Sequence, residues 1–219
     1  MNRVCSMTTN YSIPKFRTNH PQSGASLIMV MIILTVVSML GIAGIQISSL
    51  SERSARNDRD YQIAWQSAEA ALIDVEFDIF GPVASTRRAI FSPQTNIGAF
   101  GAFGGGCGAS GDSKGLCSMV VSGKPDWLTV NFETTGATAA TAEYGTFTGR
   151  TFAAGSTGFQ PSKRPRYVLE AIPDNFGKGS PCRDVTSSAV CSAYVYRATA
   201  MGFGPRDDIQ AVLQMVYRN

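Results

Sequence analysis

Between Ala25 and Ser51 the chain carries no charged side chain, and this run passes unbroken into a charged, helix-favouring segment that stops only at Gly81-Pro82. A helix needs about 20 apolar residues to cross a bilayer, so the run can span one. A secretory signal peptide has an apolar core of only about 7 to 15 residues followed by a small-residue cut site. This run is longer, and its best cut candidate, Gly41-Ile42-Ala43, sits where the helical pattern continues undisturbed. Arg3, Lys15 and Arg17 precede the run with no acid among them. That charge bias predicts a cytoplasmic N-terminal end and export of everything after Ser51.

Past the apolar run, Tyr61, Trp65, Ala68, Leu72, Val75 and Ile79 recur at alternating spacings of four and three, which places one apolar stripe on one helix face. Opposite charges at Glu52 and Arg56, and at Arg56 and Asp60, fall at the favourable i, i+4 spacing. Gly81-Pro82 ends the pattern. An unbroken helix from Ala25 to Phe80 is on the order of 80 Å long, at ~1.5 Å per residue.

The net charge of +3 belongs to the first 24 residues, and the remainder of the 219-residue chain balances sixteen basic against sixteen acidic side chains. A nucleic-acid partner is not expected, because no cationic footprint is left to neutralise phosphates. The single histidine, His20, also lies in this leader. Without the leader, histidine triads, histidine-containing zinc sites and imidazole bases are excluded. The cysteines are Cys5, Cys107, Cys117, Cys182 and Cys191. In an exported domain the two close pairs are expected as disulfides, Cys107 with Cys117 and Cys182 with Cys191, although four cysteines allow three connectivities. Zinc held by four thiolates is the rival reading, and it usually shows tighter Cys-x-x-Cys knuckles.

A basic leader ending in Gly24, then Ala25, then a long apolar helix resembles the class III signal of type IV pilins. The similarity extends through GASLIMVMIILTVVSMLGIAG and LSERSARNDRDYQIAWQSAEAAL to the N-terminal region of PilX-type minor pilins, over about Gly24 to Glu76. The shared series is Glu52-Arg53, Asn57, Arg59-Asp60, Ala64, Gln66 and Ala68-Glu69-Ala70-Ala71-Leu72. SAYVYRATAMGFG followed by DDIQAVLQMVYRN looks like the closing strand pair of that family. The resemblance implies cleavage by prepilin peptidase between Gly24 and Ala25, N-methylation of Ala25, and a retained helix that first anchors the protein in the membrane and then packs in the filament core. It also implies partners: prepilin peptidase, the inner-membrane assembly platform and its ATPase, other minor pilins, the major pilin and a tip adhesin.

Most pilins carry a glutamate as the fifth residue after the cut, where it pairs with the N-terminal amine of a neighbouring subunit. Here that position is Met29. A carboxylate in hydrocarbon costs ~2.5 kcal/mol or more, so its absence removes both a cost and a docking contact. Placement at or near the pilus tip, in the complex that starts assembly, is the expectation; the alternative is that Met29 packs among apolar helices in the shaft.

In the exported part, strands are expected at 127–132, 146–152, 166–172, 193–201 and 209–217, and Gly202-Phe203-Gly204-Pro205 supplies turn chemistry between the last two. Ile209, Ala211, Leu213, Met215 and Tyr217 alternate onto one face, and the Tyr61, Trp65, Leu72 stripe can cover it. Residues 82 to 125 are rich in Gly and Ser and read as loop. Gly106 to Gly111 formally matches Gly-x-Gly-x-x-Gly but neither follows a strand nor opens a helix, so no dinucleotide site is expected. Asp207-Asp208 and the pair Asp58 and Asp60 have neither a calcium-loop spacing nor a nearby base, and read as a solvated turn and a solvated helix face.

The expected fold is α+β: a long N-terminal helix packed on a C-terminal antiparallel sheet. The expected organisation is a leader at 1–24, a membrane and filament-core helix at 25–51, an amphipathic helix at 52–80, a Gly/Ser-rich loop region at 81–125 and a sheet domain at 126–219. The function expected is that of a minor pilin in type IV pilus assembly, not an enzyme, with no cofactor and no metal. It would sit in the inner membrane with its C-terminal domain in the periplasm, and then in the pilus. A minor pseudopilin of type II secretion and a membrane-anchored periplasmic binding or enzymatic module are the alternatives.

Overall fold

The computed structural model of the protein describes residues 25–81, 87–91, 95–101, 105–155, 158–174 and 194–218. The chain divides into two compact units, one ending at Ser51 and the other running from Glu52 to the C-terminus. Helix α1, Ala25–Phe80, is 56 residues long and contributes to both.

In the first unit every side chain from Ser26 to Ser51 is exposed, including the long apolar series from Leu27 to Leu50. Its hydroxyls turn back onto the helix. Thr35 Oγ1 donates to the Ile32 carbonyl at 2.8 Å, Ser38 Oγ to Leu34 at 2.7 Å and Ser49 Oγ to Gln46 at 2.9 Å. Those bonds spare these three hydroxyls a need for water, as hydrocarbon surroundings favour.

The second unit sets the rest of α1 against a five-stranded sheet. Three long strands form its centre: β3 (Arg166–Pro173), β4 (Tyr194–Phe203) and β5 (Gln210–Arg218). They pair antiparallel, with Leu169 opposite Ala198 and Ala200 opposite Leu213. Two short strands share the outer edge of β3 end to end. Here β1 (Leu116–Cys117) pairs parallel at Leu169 and Glu170, and β2 (Ala142–Glu143) pairs antiparallel at Tyr167 and Arg166. The sheet is therefore mixed at that edge, and the Gly/Ser-rich interval contributes a buried strand where only loop was expected.

The two faces of the sheet are covered differently. Tyr167, Leu169, Ala171, Tyr196, Ala198, Ala200 and Tyr217 pack with Ala71, Leu72, Val75 and Ile79 of α1, and with Phe91 and Phe100 from the segment after it. On the other face Val168 and Met201 lie under Cys107, Cys117, Trp127, Val130 and Phe132. Neighbouring residues of β1 enter opposite layers, Leu116 with the helix and Cys117 with the outer cover, as the two-residue period of a strand requires.

Two expected strands are absent. Residues 126–129 form a single helical turn, α2 (Asp126–Thr129), entered through Pro125, whose fixed φ suits a helix start. Residues 144–148 form turns instead of a strand. Gly145 there has φ 78°, and a side chain on it would meet the Arg150 carbonyl oxygen at 1.9 Å. Gly202 and Phe203, expected in the final turn, are strand residues of β4, and the reversal runs from Gly204 to Ile209, closed by Gly204 N–H to Ile209 O at 2.8 Å.

Candidate interaction surfaces

Of the residues singled out from the sequence, Gly24, Cys182 and Cys191 lie outside the described residues. Ala25 is the first residue of α1, and Met29 stands 66% exposed on it, in a stretch without charged side chains. Cys107 and Cys117 are joined in a disulfide that fastens β1 to the outer cover of the sheet.

The stripe expected to meet the sheet divides. Ala68, Leu72, Val75 and Ile79 are buried, whereas Tyr61 is 47% and Trp65 42% exposed. The face that reaches the sheet instead carries Ala64, Ser67, Ala68 and Ala71 there. The cause is a close approach at Gly202, where an added Cβ would lie 2.1 Å from the Ala64 oxygen and 2.3 Å from the Ala68 nitrogen. Bulky rings cannot enter a gap of that width, so they turn outward. Tyr61 and Trp65 contact each other there, with ring centroids 6.4 Å apart.

The buried side of α1 also holds acids that hydropathy patterning missed. Asp74 accepts the Gly145 N–H at 2.8 Å and the Thr148 hydroxyl, with Arg150 at 4.0 Å. Asp78 forms an ion pair at 3.4 Å with Arg87, both side chains fully buried, and accepts the Tyr167 hydroxyl at 3.1 Å. Arg87 donates to the Lys114 carbonyl at 2.8 Å and stacks on Phe147, 3.8 Å from the ring centroid. One guanidinium thus ties α1, the 87–91 segment, the 111–115 segment and the 144–148 turns into one body. Burial pushes the Asp78 carboxyl up to about 6, against the opposing pull of Arg87. Burial likewise raises Asp74, with its hydrogen bonds and Arg150 opposing.

Asp60, expected on a solvated face, is only 9% exposed and pairs with Arg59 and, at 3.9 Å, with Arg206. Arg56 pairs with Glu52 alone of its two expected acids. On the outer sheet face Glu170, fully buried, binds Arg197 at 2.6 Å, and burial raises its pKa despite that partner. Asp207, exposed in the last turn, pairs with Lys163 at 3.2 Å.

These acids are engaged internally, one at a time. Among the described residues no group of three or more histidine, cysteine, aspartate or glutamate side chains is placed to hold a metal ion. What remains open to other molecules is surface: the bare apolar helix up to Ser51, and an aromatic face on the helix beyond it.

The PilX N-terminal family model matches residues 23–72, and the family model for the C-terminal part of the type IV pilus assembly protein PilX matches residues 51–219. No curated protein and no solved structure gives a match.

Proposed function

Because the chain belongs to the PilX family of type IV pilus assembly proteins and is a minor pilin, we propose that it acts in the complex that initiates the filament at its tip. The carrying observation is Met29. From Ser26 to Ser51 the helix has no carboxylate at all, so it cannot pair with the N-terminal amine of a subunit already in place. A subunit that needs no predecessor suits the first positions of a filament.

In this reading prepilin peptidase cuts between Gly24 and Ala25, Ala25 is N-methylated, and the helix from Ala25 to Ser51 is kept. Before assembly the protein sits in the inner membrane, N-terminus in the cytoplasm and the unit from Glu52 onward in the periplasm. The apolar helix then leaves lipid for contact with the helices of other minor pilins and the major pilin. The assembly platform supplies the movement, and the exported unit offers its surface to neighbouring minor pilins and a tip adhesin. The fully exposed apolar helix up to Ser51 supports an assembly role.

The first test is the intact mass and N-terminal sequence of the protein from its native membrane, with and without active prepilin peptidase. A peptidase-dependent start at Ala25 is expected, and a start at Met1 or near Ala43 overturns the reading. The second is immunogold labelling of filaments, which should mark ends. Even labelling along the shaft rules out tip placement.

A further inference from the structure

The half of α1 beyond Ser51 carries large apolar side chains on its exposed face as well as on the one that meets the sheet. Facing inward it carries Ser67, Asp74 and Asp78. Facing outward it carries Tyr61, Trp65, Ile73, Phe77 and Phe80, each between 38% and 48% exposed. At ~100° per residue these five fall within an arc of about 160°. Gln62, Gln66, Glu69 and Glu76 complete the same exposed face. An apolar patch of this extent on a water-facing helix marks an interaction site, and exposed Trp and Tyr are the usual anchors of one.

The charges on the face identify what covers it. No Lys or Arg occurs between Asp60 and Phe80. Asp60, Asp74 and Asp78 are buried and paired, which leaves Glu69 and Glu76 as the exposed charges of this stretch. They lie seven residues apart, about 10 Å along the helix at ~1.5 Å per residue. Glu69 is held in position by Trp65, whose indole Nε1 donates to it at 2.8 Å. Glu76 borders a hollow of ≈ 400 Å³ with Phe77, Phe80 and Gly81. A carboxylate beside aromatic rings is a cation receptor, and the chain's own Arg150 already stacks on Phe77 at 4.5 Å.

We propose that this face seats a different pilus subunit, one that presents an apolar surface with Lys or Arg side chains about 10 Å apart opposite Glu69 and Glu76. The inference rests on the chain working as a pilus component. Charge decides against the other occupants. A second copy docking face to face sets the same two glutamates against each other. An anionic lipid surface is repelled by them.

The test places photoreactive benzoylphenylalanine at Trp65 or Ile73 in the full-length protein in piliated cells, with Val121, 89% exposed and elsewhere on the surface, as control. Mass spectrometry of the adducts should find a different pilus subunit at positions 65 and 73 and not at 121. The double variant Glu69→Lys/Glu76→Lys should lower the adduct yield at least about ten-fold. Exchanging the basic residues of the captured peptide for Glu should restore it. Adducts to a second copy, to lipid only, to no protein, or to a subunit regardless of charge reversal each overturn the inference. Immunoblots of sheared pili separate this from the initiation role: a protein present in pili but without stripe adducts loses only the inference, and one absent from pili and pilus complexes loses the role itself.

Discussion

Gly202 of β4 meets Ala64 of α1 backbone to backbone, so closely that a single methyl on Gly202 would sit 2.1 Å from the Ala64 carbonyl oxygen. Helix and sheet are spaced by hydrogen and methyl groups at this point, with Ala68 alongside. Neither obstructing group is a side-chain end that could swing aside. Replacing Gly202 by Ala must move α1 away from the sheet, at a cost of about 2–3 kcal/mol. Urea unfolding of the full chain in detergent measures it, and a loss under about 0.5 kcal/mol would mean the layers are free to slide.

The Asp78 and Arg87 pair should behave as a unit. Arg87→Met alone strands a buried carboxylate and is expected to destabilise by about 3–5 kcal/mol. Asp78→Asn together with Arg87→Met removes both charges, so the part of that loss due to the stranded charge should return, while the loss of the Arg87 hydrogen bond to the Lys114 carbonyl remains. A double-mutant cycle with no coupling would refute the pairing.

Acidity should stabilise the unit beyond Ser51 over one window. The Asp78 carboxyl is raised from 3.8 to about 6, so between those values the folded protein holds a proton that the unfolded chain has released. Stability from this group is fully present below about pH 4, and is lost as pH rises through about 6. The full contribution is about 3 kcal/mol at ~1.4 kcal/mol per pH unit. Asp74 and Glu170, also raised by burial, act with the same sign. Melting temperature measured from pH 4 to 7 should fall with rising pH, and Asp78→Asn should flatten the slope.

Reduction of the Cys107 to Cys117 disulfide should cost about 2–3 kcal/mol, the value for closing a short loop. The change should be local to the outer cover. Trp127 packs beside these cysteines, whereas Trp65 stands exposed on α1. Reduction should therefore shift tryptophan emission to the red in the wild type and not in Trp127→Phe.

Much of this protein is set by patterns short enough to read along the chain. An uncharged run from Ala25 to Ser51 can form only a helix whose backbone satisfies itself, and the helix persists to Phe80 because nothing before Gly81-Pro82 breaks it. Alternation along Gln210–Arg218 marks β5, since Ala211, Leu213 and Tyr217 all turn toward the helix side. The strands β3 to β5 lie within two residues of where they were expected.

Only the tertiary structure decided how the first turns of the outer helix, around Tyr61 and Trp65, meet the sheet. Patterning follows the largest apolar side chains, and so selected Tyr61 and Trp65. The interlayer distance at Gly202 selects a small one, Ala64, beside the expected Ala68, and turns the aromatic rings outward. Asp74 and Asp78 also lie inside, where Gly145, Thr148, Arg87 and Tyr167 bind them from 71, 74, 9 and 89 positions away in the chain. A local sequence window contains the acids and not most of their partners, so it reads such residues as solvated. The sequence determined what the helix and main strands are; the distance between them decided which residues were left to face a partner.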